Sequence, residues 1–209
     1  MFDKKKTKQQ QPAQKKDTRF SDTMFSEANN YFFGKEEVSQ SFILLTGEIE
    51  DEKCTGVIAE ILQANFSPKE ERPEVINLII QSPGGNLDSA LALIATIMAS
   101  KIPVRTVGLG CVGSAALCIL MSGKQRMADK YCSFLSHQFS TQTGGTFNEL
   151  DVAHAQMIRY YEKMCELYEE CTGLSKKVIK KKLLKHEDVW LTPEEALEYN
   201  MLDYIGDMK

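Results

Sequence analysis

Short apolar runs alternate with amphipathic stretches from about residue 40 to the end of the chain. Ser41–Leu45 (SFILL) reads as a buried strand closed by Thr46-Gly47. Cys54, Val57, Ile58, Ile61, Leu62 and Asn65 then recur at helical spacing along one stripe. A second strand, Ile76–Gln81 (INLIIQ), ends at the breaker Ser82-Pro83-Gly84-Gly85. Asn86 is placed to cap the strongly apolar helix that follows. Pro103–Gly108 predicts a third strand and Ser114–Ser122 a short, nearly all-apolar helix. Arg126–Ala128 and Ser133–Ser136 read as further strands. Phe147–Cys171 predicts a long helix with Phe147, Leu150, His154, Met157, Ile158, Tyr161, Met164, Cys165 and Tyr168 on one side. Thr192-Pro193-Glu194-Glu195 carries the cap, the first-turn proline and the capping-box glutamate of a last helix. Repeated strand–helix alternation implies an α/β fold with a mainly parallel, helix-covered sheet.

Charge adds a boundary. Met1–Arg19 holds seven Lys/Arg against two Asp, a surplus of +5, so with a net charge of −4 the remainder carries −9. Residues 1–24 are Lys- and Gln-rich and almost devoid of apolar side chains, which predicts a disordered tail; residues 25–209 form the expected domain. The acidic balance argues against a nucleic-acid partner. No apolar run approaches the roughly 20 residues of a membrane span, and no signal-peptide core stands at the N-terminus, so a cytoplasmic location is expected. The six cysteines show no CxxC pair and no metal-ligand spacing. They read as buried reduced thiols, and no cofactor or metal is expected.

Two chemistries compete for the segment before the short helix. Gly108-Leu-Gly110-Cys-Val-Gly113 matches the GxGxxG of a dinucleotide loop, but no acidic residue follows at the end of a buried strand about twenty positions on. The same segment also delivers Ser114 to a helix start, where its hydroxyl can face a cleft. It is not a GxSxG elbow, because Ala116 takes the last position. A nucleophilic serine needs a base. Of the three histidines, His154 lies on the apolar stripe, His186 lies in a charged stretch, and His137 follows a short strand as a cleft residue would. The base needs a carboxylate, and Asp188 directly precedes the apolar Val189-Trp190-Leu191, which would bring it against packed core. Gly84-Gly85 can offer an unobstructed N–H to an oxyanion. Each of these residues also fits an ordinary role: a helix cap, a rim imidazole, a loop acid, a tight turn.

Five segments together decide between the roles. SFILLTGEIED, INLIIQSPGGNLDSA, GCVGSAALCILMSG, KQRMADKYCSFLSHQ and EDVWLTPEEALEYNMLD resemble, in order, the proteolytic subunit of the Clp protease (the ClpP family) over about Ser41–Asp203. The resemblance implies a crotonase/ClpP-like fold: mainly parallel sheet layers covered by helices, with a protruding handle helix in a handle region of about 138–172. It implies a serine endopeptidase that forms an acyl-enzyme, with Ser114, His137 and Asp188 as the triad and the Gly85 and Ala115 backbone N–H groups as the oxyanion hole. It further implies a homo-oligomer, a heptameric ring or stacked tetradecamer, that encloses protein or peptide substrates and is served by an ATP-dependent unfoldase. Virus-type head-maturation proteases of the same family and crotonase-type acyl-CoA enzymes are the alternatives. The chain departs from the family where Val112-Gly113-Ser114-Ala115 replaces the usual Ala-Ala-Ser-Met and where Glu187 stands at a common arginine position. Asn200 replaces a glycine but tolerates the left-handed cap.

Overall fold

The computed structural model describes residues 39–140 and 143–206. The predicted disordered tail, residues 1–24, lies outside the described residues. Seven strands and six α-helices follow in the order β1 (Gln40–Thr46), α1 (Asp51–Phe66), β2 (Val75–Ser82), α2 (Leu87–Ala99), β3 (Val104–Gly113), α3 (Ala115–Met121), β4 (Gln125–Asp129), β5 (Ser133–Ser136), α4 (Phe147–Thr172), α5 (Lys176–Lys182), β6 (Val189–Leu191), α6 (Pro193–Glu198) and β7 (Tyr204–Gly206). The strands form one sheet in the order β1-β2-β3-β4-β7, with β5 also on β3 and β6 on β5. Every pairing is parallel except β5–β6. Helices cover the sheet, so β2 buries residues on both faces, with Ile76, Leu78 and Ile80 fully enclosed.

Strand β3 departs most from the sequence expectation, running on to Gly113 instead of stopping at Gly108. Its first half pairs with β4 (Arg105↔Gln125 to Gly108↔Ala128), and its last residues pair with β5 (Cys111↔Ser133 to Gly113↔Leu135). Gly110, at φ 61°, lets the strand change partners, and the β2–β3 register shifts there. The glycines of the apparent GxGxxG therefore serve packing: a Cβ on Gly108 would crowd Leu120 and Val112 at 3.2 Å. A strand occupies the place of a dinucleotide loop.

Local signals placed the helices well. Asn86 accepts from Ser89 N at 3.0 Å as the cap of α2, and α6 has its Thr192–Glu195 capping box. Asn65 is buried on α1 because its amide is used up, donating to the Ile61 carbonyl and Ser100 Oγ and accepting from Lys101 N. The handle, α4, spans 26 residues, about 39 Å. Thr146 and Glu149 form its capping box, and Gly173 closes it at φ 72°. Only its C-terminal part docks fully, through Met164, Cys165, Leu167, Tyr168 and Thr172. Phe147, Val152 and Ile158 stand exposed. Asn200 takes the left-handed conformation expected of it, at φ 55°.

Candidate active site

Ser114 sits at the joint between β3 and α3 with φ 53° and ψ −123°, a strained conformation for a residue with a side chain. Its backbone N–H is tied to the Leu135 carbonyl at 2.8 Å. Its hydroxyl makes no capping bond, so an N-cap role does not account for this serine. Gly113 and Gly84 allow the turn to be this tight. A Cβ on Gly113 would meet the Pro83 carbonyl at 2.7 Å, and one on Gly84 would meet Ser114 Cβ at 2.7 Å and Gly113 O at 2.8 Å. The Ser82–Gly85 turn is thus pressed against the serine turn. Ser82, itself buried, fixes its shape by accepting from Gly84 N at 3.1 Å.

The backbone donors follow from this packing. Ile49 bridges to Gly85 by donating to the Gly84 carbonyl and accepting from Asn86 N, both at 2.8 Å. The intervening Gly85 N–H points the opposite way, as alternation along an extended segment requires. Gly85 has φ 149°, and a Cβ there would collide with the Ile49 backbone. Ala115 opens α3, so its N–H is one of the helix's unpaired donors. Gly85, Ser114 and Ala115 line one cleft of about 400 Å³, closed on the other side by Ala153, Met157, Tyr160 and Met164 of α4.

His137 and Asp188 meet through strand register. Ser136 of β5 pairs with Val189 of the antiparallel β6. The next pair outward is His137, just after β5, with Asp188, just before β6. His137 Nδ1 lies 3.6 Å from Asp188 Oδ1. That exceeds a hydrogen bond but lies within reach of one that tightens when a substrate or neighbour orders the pair. With Nδ1 turned to the carboxylate, Nε2 is the ring nitrogen left to act as a base. The end of β5 is held from below: Ser136 Oγ donates to the Leu183 carbonyl at 2.9 Å and is 2.9 Å from the Tyr168 hydroxyl, and Gln138 donates to the Leu184 carbonyl. Burial pushes the Tyr168 hydroxyl well above its ordinary value, so it stays a neutral donor.

Two expectations need correcting. Asp188 is not packed against the core: its side chain is 60% exposed, because alternation along β6 turns Leu191 inward and leaves Trp190 outward. His154, on the apolar stripe, was expected to be packed or at an interface, and within the single chain it is not packed but exposed, as is His186. Cys118 on α3 is buried and its thiol is pushed up to about 12 by burial, which keeps it protonated and inert. The sequence reading missed Tyr160, Asp88 and Phe139 at the cleft. Met157, Tyr160 and Met164 at i, i+3 and i+7 share one helix face, and that spacing was the available signal.

Fold and site define a class, a helix-covered parallel α/β protein with a strained serine turn tied to β5 at Leu135 and a histidine–carboxylate pair at the end of that strand. A family model described as Clp protease matches residues 27–209. The ATP-dependent Clp protease proteolytic subunit of Paracoccus denitrificans is 30% identical over 168 residues, covering 78% of this chain and 80% of that protein. The subunit of the same name from Streptococcus mutans is 30% identical over 167 residues, covering 78% and 83%. Among solved structures, an asparagine-to-aspartate mutant of ClpP1 from Listeria monocytogenes superposes with a TM-score of 0.68 at 26% identity, covering 78% of this chain and 90% of that one. The chain belongs to the Clp protease family. Its fold is ClpP-like, and it is a Clp-type peptidase.

Proposed function

We propose that this chain is a serine endopeptidase in which Ser114 attacks, His137 Nε2 takes and returns the proton, and Asp188 orients and stabilises the imidazolium. The carrying observation is the strained Ser114 turn, pressed against Gly84 and tied to the strand that His137 directly follows. Attack of Ser114 Oγ on a peptide carbonyl forms a tetrahedral oxyanion, which the Gly85 and Ala115 N–H groups stabilise. Collapse expels the amine with the proton from His137 and leaves an acyl-enzyme. Water activated by the same nitrogen then releases the acid. A dinucleotide or acyl-CoA reaction gives no reason for His137 to stand 3.6 Å from Asp188 at the end of the strand whose Leu135 carbonyl accepts from Ser114 N.

The working form of this reading is a homo-oligomeric ring in the cytoplasm, heptameric or stacked as a tetradecamer. It encloses the cleft and receives unfolded protein or peptides from an ATP-dependent unfoldase. The names of the curated relatives, both ATP-dependent, and the uncovered apolar side chains of α4 support it. Ser114→Ala is expected to lower peptide hydrolysis by about 10³-fold or more while the protein melts as before. Near-normal turnover by that variant would refute the assignment.

A further inference from the structure

Tyr160 of α4 donates a 2.5 Å hydrogen bond to Asp88 Oδ1 in the first turn of α2. The two residues lie 72 positions apart, on opposite walls of the cleft that contains Ser114. Leu87 and Asp88 stand on the wall with the serine, and Met157, Tyr160 and Met164 on the other. Within 147–160, among the described residues, the other side-chain hydrogen bond is the Thr146–Glu149 cap, which is internal to the handle. The projecting part of the handle thus reaches the catalytic body through this one polar tie, charge-assisted and short. Phe139, two residues past His137, sets its ring edge-on to Tyr160 at 6.2 Å.

Resting on the peptidase reading, we propose that Tyr160 and Asp88 form a strap that fixes the width of the cleft and so determines which substrate side chains seat beside Ser114. With the strap closed, the space is bounded by two thioethers, Met157 and Met164, and by the tyrosine ring. An unbranched or leucine-sized apolar side chain fits against flexible thioethers, whereas an indole presses its longer ring against Tyr160 and loads the bond. The strap is a specificity-determining contact, not a participant in proton transfer.

The test uses the full-length protein and two coumarylamide peptides that differ only in the residue before the scissile bond, leucine or tryptophan. The wild-type protein should prefer leucine. In Tyr160→Phe and in Asp88→Ala the ratio of kcat/KM for tryptophan over leucine should rise about tenfold, mainly through KM, within the range by which pocket contacts discriminate side chains. Asp88→Asn, which keeps an acceptor for the phenol, should stay closer to the wild-type ratio. A ratio unmoved in both strap variants, with the two substrates falling together, would make the contact an ordinary structural tie and overturn the proposal. Wild-type protein that neither cleaves these peptides nor reacts at Ser114 with a fluorophosphonate would instead overturn the peptidase reading, and the strap with it.

Discussion

At Ser114 the backbone conformation and the neighbouring glycines depend on each other. The positive φ of the serine is tolerable because Gly84 and Gly113 let two turns interpenetrate. Gly84→Ala would set a methyl at 2.7 Å from Ser114 Cβ, on a residue with φ 109°. It is expected to cost about 1–3 kcal/mol of stability, as a forced sparsely populated conformation does, and to displace the serine. Activity should drop more than stability, since about 1 Å of misplacement can cost a hundredfold in rate. Thermal melts run beside peptide assays check this, and an active Gly84→Ala protein would contradict it. His137→Ala removes the proposed base, so hydrolysis should fall by orders of magnitude. His154→Ala and His186→Ala should leave hydrolysis in place, because both side chains are exposed and it is His137 that stands beside Asp188 at the end of β5.

At the scale of elements, short strands deliver the chemistry and hydrogen bonds between elements hold them. Ser136→Ala would take from the buried Leu183 carbonyl its side-chain donor and from the Tyr168 hydroxyl one of its partners, for an expected loss of about 1–3 kcal/mol in chemical denaturation. On the opposite edge Arg126 draws β4 and the C-terminal segment together, binding Asp203, the Cys171 carbonyl and the Asn200 carbonyl. Its guanidinium hydrogen bonds hold the Asp203 carboxyl below its ordinary value. The folded state therefore favours the ionised form, and the stabilisation is present above the unfolded value and lost as pH falls through the depressed folded one. The melting-temperature gap between wild type and Asp203→Asn should narrow from neutral pH to about pH 3, and a constant gap would contradict the pairing. Elements with strong local signals were legible from the sequence: β2 by its continuous apolar run, α2 and α6 by their caps, and the handle by its stripe, read to Cys171 and observed to Thr172. Strand β7, helix α5 (KKVIKKK) and the second half of β3 were not. A three-residue strand has no period to read, one buried isoleucine among lysines gives no stripe, and glycines that permit a change of partner strand look like a phosphate loop until the partner is seen.

Across the whole molecule, topology sets Ser114 against β5 at Leu135 and Asp188 beside His137, the residues of the proposed triad. Ser114, His137 and Asp188 fall in three segments, and the sequence alone left each with an ordinary alternative role. What joins them is β3 pairing first with β4 and then with β5, and β5 turning back against β6. None of that leaves a trace in periodicity, and only the family resemblance made the trio legible. The same view explains the projecting handle. Ile158 is 52% and Val152 70% exposed, so the proposed ring would cover them. Ile158→Glu spares the docked part of the helix and should shift the sedimentation profile to smaller species while hydrolysis falls in parallel. A fully active monomer would contradict the ring. The most direct test of the central claim is intact-protein and peptide-mapping mass spectrometry after treatment with a fluorophosphonate. The account predicts a single adduct on Ser114 that forms far more slowly in His137→Ala. Peptide cleavage by a protein that takes no adduct, or takes it at another residue, would contradict it.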